Sequence, residues 1–201
     1  MNPRSRPLDV ALIAGFAALI AVCALLPDIK TGAGVPFSLQ TFGVLLVGAC
    51  LGPVRGFLAV TLYLAGGAIG LPIFSGGAAG LGHFTGPTAG YLVAFPLAAA
   101  LCGYLVSRNR ERASDFTLVF TAGLLSSFLL IHTLGALNLA WRADMSIKAA
   151  FIYDAQFFPG DVLKNVAMAL VATSVHRAFG WLMPRSTAPA ERSAALEPSA
   201  A

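Results

Sequence analysis

Long apolar runs separated by short polar or glycine- and proline-rich breaks organise this chain from residue 9 to residue 183. Six of them read as membrane segments, at roughly 9–26, 38–52, 55–71, 87–106, 116–138 and 161–183. A helix that crosses a bilayer needs about 20 apolar residues. The second and third runs are short and are separated only by Gly52-Pro53, which predicts a tight hairpin, tilted helices or a partly re-entrant path. The pattern predicts an all-α integral membrane protein, a six-transmembrane-helix bundle forming one domain over 1–185. The remaining 186–201, rich in Ala, Ser, Pro and Glu, reads as a disordered tail.

Composition supports the membrane assignment. The 201 residues are 57% hydrophobic and 11% charged, with mean hydropathy +0.79, whereas a soluble domain carries about 25% charged residues. The chain has room for one bundle and none for a soluble catalytic domain. The first apolar run lacks a small-residue cleavage site and reads as a helix of the protein, not a signal peptide. Cys23, Cys50 and Cys102 all lie in apolar runs with no CxxC or HExxH spacing, so they read as small buried hydrophobes and no metal is expected.

Charge sets the orientation. Arg4, Arg6, Arg55, Arg108, Arg110, Arg112, Arg177, Arg185 and Arg192 fall on one side of the predicted bundle. The connections Pro27 to Phe37, Pro72 to Gly86 and Leu139 to Gly160 fall on the other, with only Lys30, Arg142 and Lys148. The positive-inside rule makes both termini cytoplasmic and opens the three longer loops to the outside.

Three elements on that outer side carry candidate chemistry. In Phe157-Phe158-Pro159-Gly160-Asp161-Val162-Leu163-Lys164-Asn165, an acid and a base stand three apart on one helical face, with Asn165 beside them. Ionisable groups at membrane depth usually face a cavity, a partner or a substrate. The alternative is an internal ion pair at a helix start, where the dipole favours Asp161. As a site, the carboxylate accepts N–H groups while Lys164 and Asn165 donate to a carbonyl or carboxylate, which suits a cyclic urea or amide. The second element is the run from Gly70 to Tyr91, with six glycines between 70 and 86. It is too glycine-rich for a regular helix and too apolar for an ordinary loop, and such backbone is tolerated where it lines a cavity or packs under protein. Its N–H groups, ending at a helix expected to begin at Pro87, could bind an anionic group. The third is Val35 to Phe42, where Gln40 and Thr41 are polar positions at an apolar helix start and Ser38 could serve as a cap.

Helix 1 carries small residues at Ala11/Gly15, Ala14/Ala18 and Ala17/Ala21, a spacing that lets another helix approach closely. Two enzyme readings fail on their own chemistry. Tyr153-Asp154 and Gly160-Asp161 are similar to intramembrane aspartyl-protease motifs, but the acids are seven residues apart and Lys164 would hold Asp161 ionised, opposing a shared-proton dyad. Ser75 with a histidine lacks the GxSG elbow of a rhomboid-like site. No enzyme is expected, and the protease is the weaker alternative to transport.

The segments VPFSLQTFGVLLVGACLGP at 35–53, GLPIFSGGAAGLGHFTGPTAGYLVAFP at 70–96 and FFPGDVLKNVAMA at 157–169 together resemble the BioY family, over about residues 8–183. These are the biotin-binding S components of energy-coupling-factor (ECF) transporters. The resemblance implies biotin uptake across the cell inner (plasma) membrane, by a six-helix fold that binds the vitamin near the outer surface under loops 1, 3 and 5. It implies Asp161 and Lys164 as binders of the ureido end, with Gln40 and Asn165 as supplementary donors. Phe37, Phe74, Tyr91 and Phe158 would pack against the bicyclic ring and valerate chain. The loop bearing Gly77 and Gly80 would close over the ligand, contributing only backbone groups at Ala78 and Ala79. Lys30, His83 and the loop amides are the alternatives for the biotin carboxylate. The implied partners are the lipid bilayer, a transmembrane coupling subunit docking on Ala14 and Ala18, and ABC ATPases, since no Walker motif is seen here. Some members are proposed to act without the ATPases, as homo-oligomers. Biotin would be the transported ligand, with no cofactor and no nucleic-acid partner; an S component for another vitamin is the nearest alternative.

Overall fold

The computed structural model describes residues 5–26, 29–30 and 36–183, with side chains described over 6–26 and 38–183. Its helices are α1 (Ser5–Leu25), α2 (Gln40–Leu51), α3 (Pro53–Ala68), α4 (Ala89–Arg108), α5 (Phe116–Arg142), α6 (Ile147–Asp154) and α7 (Phe158–Ala178). A short antiparallel pair, β1 (Ile29–Lys30) with β2 (Pro36–Phe37), lies between α1 and α2. The expected tail 186–201 lies outside the described residues.

Each predicted apolar run coincides with a helix. By length and composition, three are long and apolar enough to cross a membrane: Arg6–Leu25, Ala89–Arg108 and Phe116–Arg142. At 1.5 Å per residue, the 12 residues of α2 extend only about 18 Å, and α7 carries Asp161, Lys164, Asn165, His176 and Arg177 along its length.

α2 is the central helix. Every residue from Gly43 to Leu51 is buried, because a helix apolar on all faces must be enclosed on all faces. It packs against α4 on one side and α7 on another, with α1 and α3 also in contact. Val44, Val47 and Cys50 of α2, Ala98, Ala99 and Cys102 of α4, and Met168 and Ala172 of α7 are fully enclosed. All three cysteines are free and buried, as their apolar settings predict.

The expected hairpin at Gly52-Pro53 is present in its tightest form. Only Gly52 separates α2 from α3, at φ 80° and ψ −178°, a conformation open to glycine and strained for other residues. Pro53 opens α3, where its missing N–H costs nothing. Around this turn a glycine seam brings three backbones together. A Cβ on Gly48 would collide with the Ala99 carbonyl, one on Gly56 with Gly48, and one on Gly103 with Gly52. Close backbone approach through small residues is the usual mode of helix packing in membranes.

Two differences from the sequence pattern affect the site. The helix predicted to end at 138 continues to Arg142, and the expected loop between Leu139 and Gly160 contains α6. Ser146 caps α6 by accepting from the Ala149 N–H at 3.2 Å. Within α5, residues Ser127–His132 form a π-turn. Such one-residue insertions are rare and often mark functional sites.

The opposite helix ends are tied by arginines. Arg55 of α3 pairs with Asp9 of α1 and donates to the Leu182 carbonyl at 2.8 Å. Arg110 donates to the Gly180 carbonyl at 2.9 Å.

Candidate functional site

The first turn of α7 anchors the site. Pro159 lies in that turn and Asp161 is its acid, so the carboxylate sits at the positive end of the helix dipole. Lys164, one turn on, donates to Asp161 Oδ1 at 2.8 Å. The Asn165 amide donates to the Asp161 backbone carbonyl at 3.1 Å. Asp161 is 4% exposed and Lys164 8%. A surface pair so placed would be worth little; a buried pair requires further partners to offset desolvation.

Those partners come from α2 and α5, and residues of α6 and α4 stand behind them. The Thr41 hydroxyl, at the start of α2, donates to Asp161 Oδ1 at 3.1 Å. His132 of α5 places Nε2 3.3 Å from Asp161 Oδ2, close enough for charge attraction but without hydrogen-bond alignment. Its Nδ1 lies 2.8 Å from Oδ2 of Asp154, the last residue of α6. The Tyr91 hydroxyl, at the start of α4, donates to Asp154 Oδ1 at 2.7 Å. Tyr91, Asp154, His132, Asp161, Lys164 and Thr41 thus form one buried polar cluster. The Phe128 and Phe158 rings flank the His132 imidazole, with centroids 4.9 and 4.8 Å away.

A second chain of polar contacts begins three residues before Thr41. Ser38 donates to the Gln40 amide oxygen at 3.1 Å, Gln40 donates to the Tyr63 hydroxyl, and Tyr63 donates to the Ile73 carbonyl at 3.1 Å. Gln40 therefore fastens α2 to α3 and to the glycine-rich segment. Ser38 does interact at the start of α2, through the Gln40 side chain and a 3.3 Å bond from the Gln40 N–H.

The glycine-rich segment is built from turns. Phe74 is buried beneath it, edge-on to Tyr63, His83 and Phe84 and against Gly67, whose Cβ would overlap the ring. The N–H groups of Gly77 and Gly80 donate to the carbonyls of Phe74 and Gly67, at 2.9 and 2.8 Å. At these two positions the expectation of amides facing an anion is corrected: the bonds shape the loop. His83 is half-buried, and α4 begins at Ala89, two residues after Pro87. The Phe37 and Lys30 side chains lie outside the described residues; their backbones belong to the β pair.

Asp161, Lys164, Asn165, Tyr91 and Phe158 converge as the sequence suggests, and Gln40 lies next to Thr41 at the edge of the cluster. Tyr91 has a further role, since its hydroxyl serves Asp154. His132 was not among the sequence candidates, and Asp154 entered only in the protease reading, not as part of a binding site. A lone histidine inside the apolar run 116–138 was the available signal, because an ionisable residue at that depth needs a partner. Asp154 and Asp161 are bridged by this histidine, an arrangement unlike two acids sharing a proton.

The arrangement offers a carboxylate that accepts from the Thr41 hydroxyl and the Lys164 ammonium, with the His132 ring beside it and aromatic rings around it. A carboxylate has about four lone-pair sites and an ammonium three donors. Such a pair can meet a neutral ligand that presents N–H groups next to a carbonyl.

Residues 1–181 match the family described as the BioY family. The chain is 37% identical over 183 residues to the "Biotin transporter BioY" of Rhizobium etli, covering 89% of this chain and 98% of that one. It is 41% identical over 180 residues to the "Biotin transporter BioY" of Rhodobacter capsulatus, covering 83% and 92%. Its fold matches a crystal structure of the S-component for biotin from an ECF-type ABC transporter, with TM-score 0.83 and 27% identity over 88% of this chain and 95% of that one. The chain belongs to the BioY family.

Proposed function

We infer that this protein is a biotin-uptake S component of an ECF-type transporter, and that the Asp161 cluster is its binding site. The observation that carries the site is the buried Asp161–Lys164 pair, held by Thr41 and faced by His132. The ureido ring of biotin presents two N–H donors and one carbonyl. Asp161 accepts from an N–H while Lys164 donates to the carbonyl, and the ligand adds no net charge to a pair already balanced. Asn165 is a further donor or acceptor, its side-chain oxygen being buried without a partner.

Phe158, Tyr91 and Phe74 supply the apolar walls, with Phe37 beside the entrance to α2. The loop through Gly77 and Gly80 covers the ligand, and Gln40 sets its distance from α2 through Tyr63. His83 and the loop amides other than those of Gly77 and Gly80 are the groups offered to the biotin carboxylate.

The protein is a multi-pass component of the plasma membrane with both termini in the cytoplasm, and it binds biotin without turning it over. ATP hydrolysis belongs to partner subunits, and a coupling subunit docks on α1. Ala14 and Ala18 are exposed there, and a Cβ at neighbouring Gly15 would meet nothing within 4 Å.

Isothermal titration of the purified chain with a panel of vitamins tests the reading. Biotin alone binds tightly; tight binding of another vitamin with none of biotin would overturn it.

A further inference from the structure

Asp154 is fully enclosed, and a carboxylate at 0% exposure requires compensation on both oxygens. The Tyr91 hydroxyl supplies one donor at 2.7 Å and His132 Nδ1 faces the other oxygen at 2.8 Å. On the far side of the same ring, Nε2 stands 3.3 Å from Asp161 Oδ2. A neutral imidazole has one N–H and one bare lone pair. Between two carboxylates, that lone pair would point at an anionic oxygen in either tautomer, whereas an imidazolium presents an N–H to each. The local charges then balance, with Asp154 and Asp161 against Lys164 and His132. The Phe128 ring stacks on the buried imidazole, a face that tolerates a cation, and Phe158 meets it edge-to-face. Nε2 makes no hydrogen bond, so its link to Asp161 is one of charge.

We propose that His132 is a positioning residue of the binding site: held as an imidazolium by Asp154, it orients the Asp161 carboxylate that meets the ligand. The chain Tyr91–Asp154–His132–Asp161 then sets affinity from behind Asp161. This rests on the reading of Asp161 as a biotin ligand.

Nitrogen NMR of histidine-labelled protein in nanodiscs, combined with biotin titration, tests it. At about pH 8 an ordinary histidine is neutral. The signal lost in His132→Gln is expected to show both ring nitrogens protonated. Asp154→Asn is expected to return that ring to the neutral form and to weaken biotin binding about tenfold. Tyr91→Phe, which removes only a hydroxyl, is expected to weaken binding about threefold, and serves if Asp154→Asn does not fold. A neutral His132 in the wild type would overturn the proposal, as would unchanged affinity in the folded variants. Absence of biotin binding by the wild type would instead overturn the functional reading, whatever the state of the ring.

Discussion

The Thr41 hydroxyl donates to the same oxygen of Asp161 that receives Lys164 Nζ, across 120 positions of sequence. That bond ties the start of α2 to the start of α7 and fixes which way the carboxylate faces. Hydrogen bonds to charged groups contribute about 1.5–3 kcal/mol. Thr41→Val is expected to weaken biotin binding roughly five- to tenfold with little change in melting temperature. Asp161→Asn is expected to weaken it tenfold or more, and also to lower thermal stability, because Lys164 remains buried without its anion. Titration calorimetry and thermal unfolding in detergent separate the two effects. Equal affinity for Thr41→Val and wild type would remove Thr41 from the site.

The glycine seam makes a prediction about stability alone. Gly48 lies against the Ala99 backbone, which cannot move as a flexible side chain would. Gly48→Ala is expected to destabilise the bundle by about 1–3 kcal/mol through overpacking. Gly15→Ala is the control, since its Cβ enters open space and alanine favours the helix by roughly 0.5–1 kcal/mol. Thermal melts of both proteins should move in opposite directions.

The exposed small-residue face of α1 separates binding from transport. Ala14→Trp and Ala18→Trp are expected to keep wild-type biotin affinity while abolishing co-purification with a coupling subunit and reducing uptake in cells. Retained co-purification in both variants would place the docking surface elsewhere.

Asp115 gives a pH dependence at the opposite end of the molecule. Its carboxylate accepts from Arg112 at 2.6 Å and from the Thr117 N–H at 2.9 Å, capping α5. The Arg112 hydrogen bond, the largest favourable influence, holds the carboxyl below its ordinary range. A lowered folded pKa stabilises fully above the unfolded value of about 3.9 and is lost as pH falls through the folded value. The melting-temperature gap between wild type and Asp115→Ala should therefore be largest near neutrality and close in acid.

The Asp161–Lys164 contact was legible in sequence because three residues of helix always bring two side chains onto one face. The buried cysteines were legible because their surroundings are apolar throughout. His132 was harder to see, since its partners are 22 and 29 positions away on other helices. Tyr91 read as an aromatic wall because nothing local announces that its hydroxyl meets Asp154. The helix α6 was hidden in a connection too short to stand out as an apolar run.

Taken by itself, the amino-acid order determined the class of protein, the positions of the apolar helices and an acid–base pair at the start of the last one. These follow from local rules: backbone groups in lipid must bond within a helix, and helical periodicity is fixed. Only the tertiary structure decided that Thr41 and His132 meet Asp161, that Tyr91 and Asp154 stand behind them, and that Gly48, Gly56 and Gly103 let the backbones close. Those pairings depend on the rotation and depth of each helix against its neighbours, which packing of the whole bundle sets and no local stretch encodes.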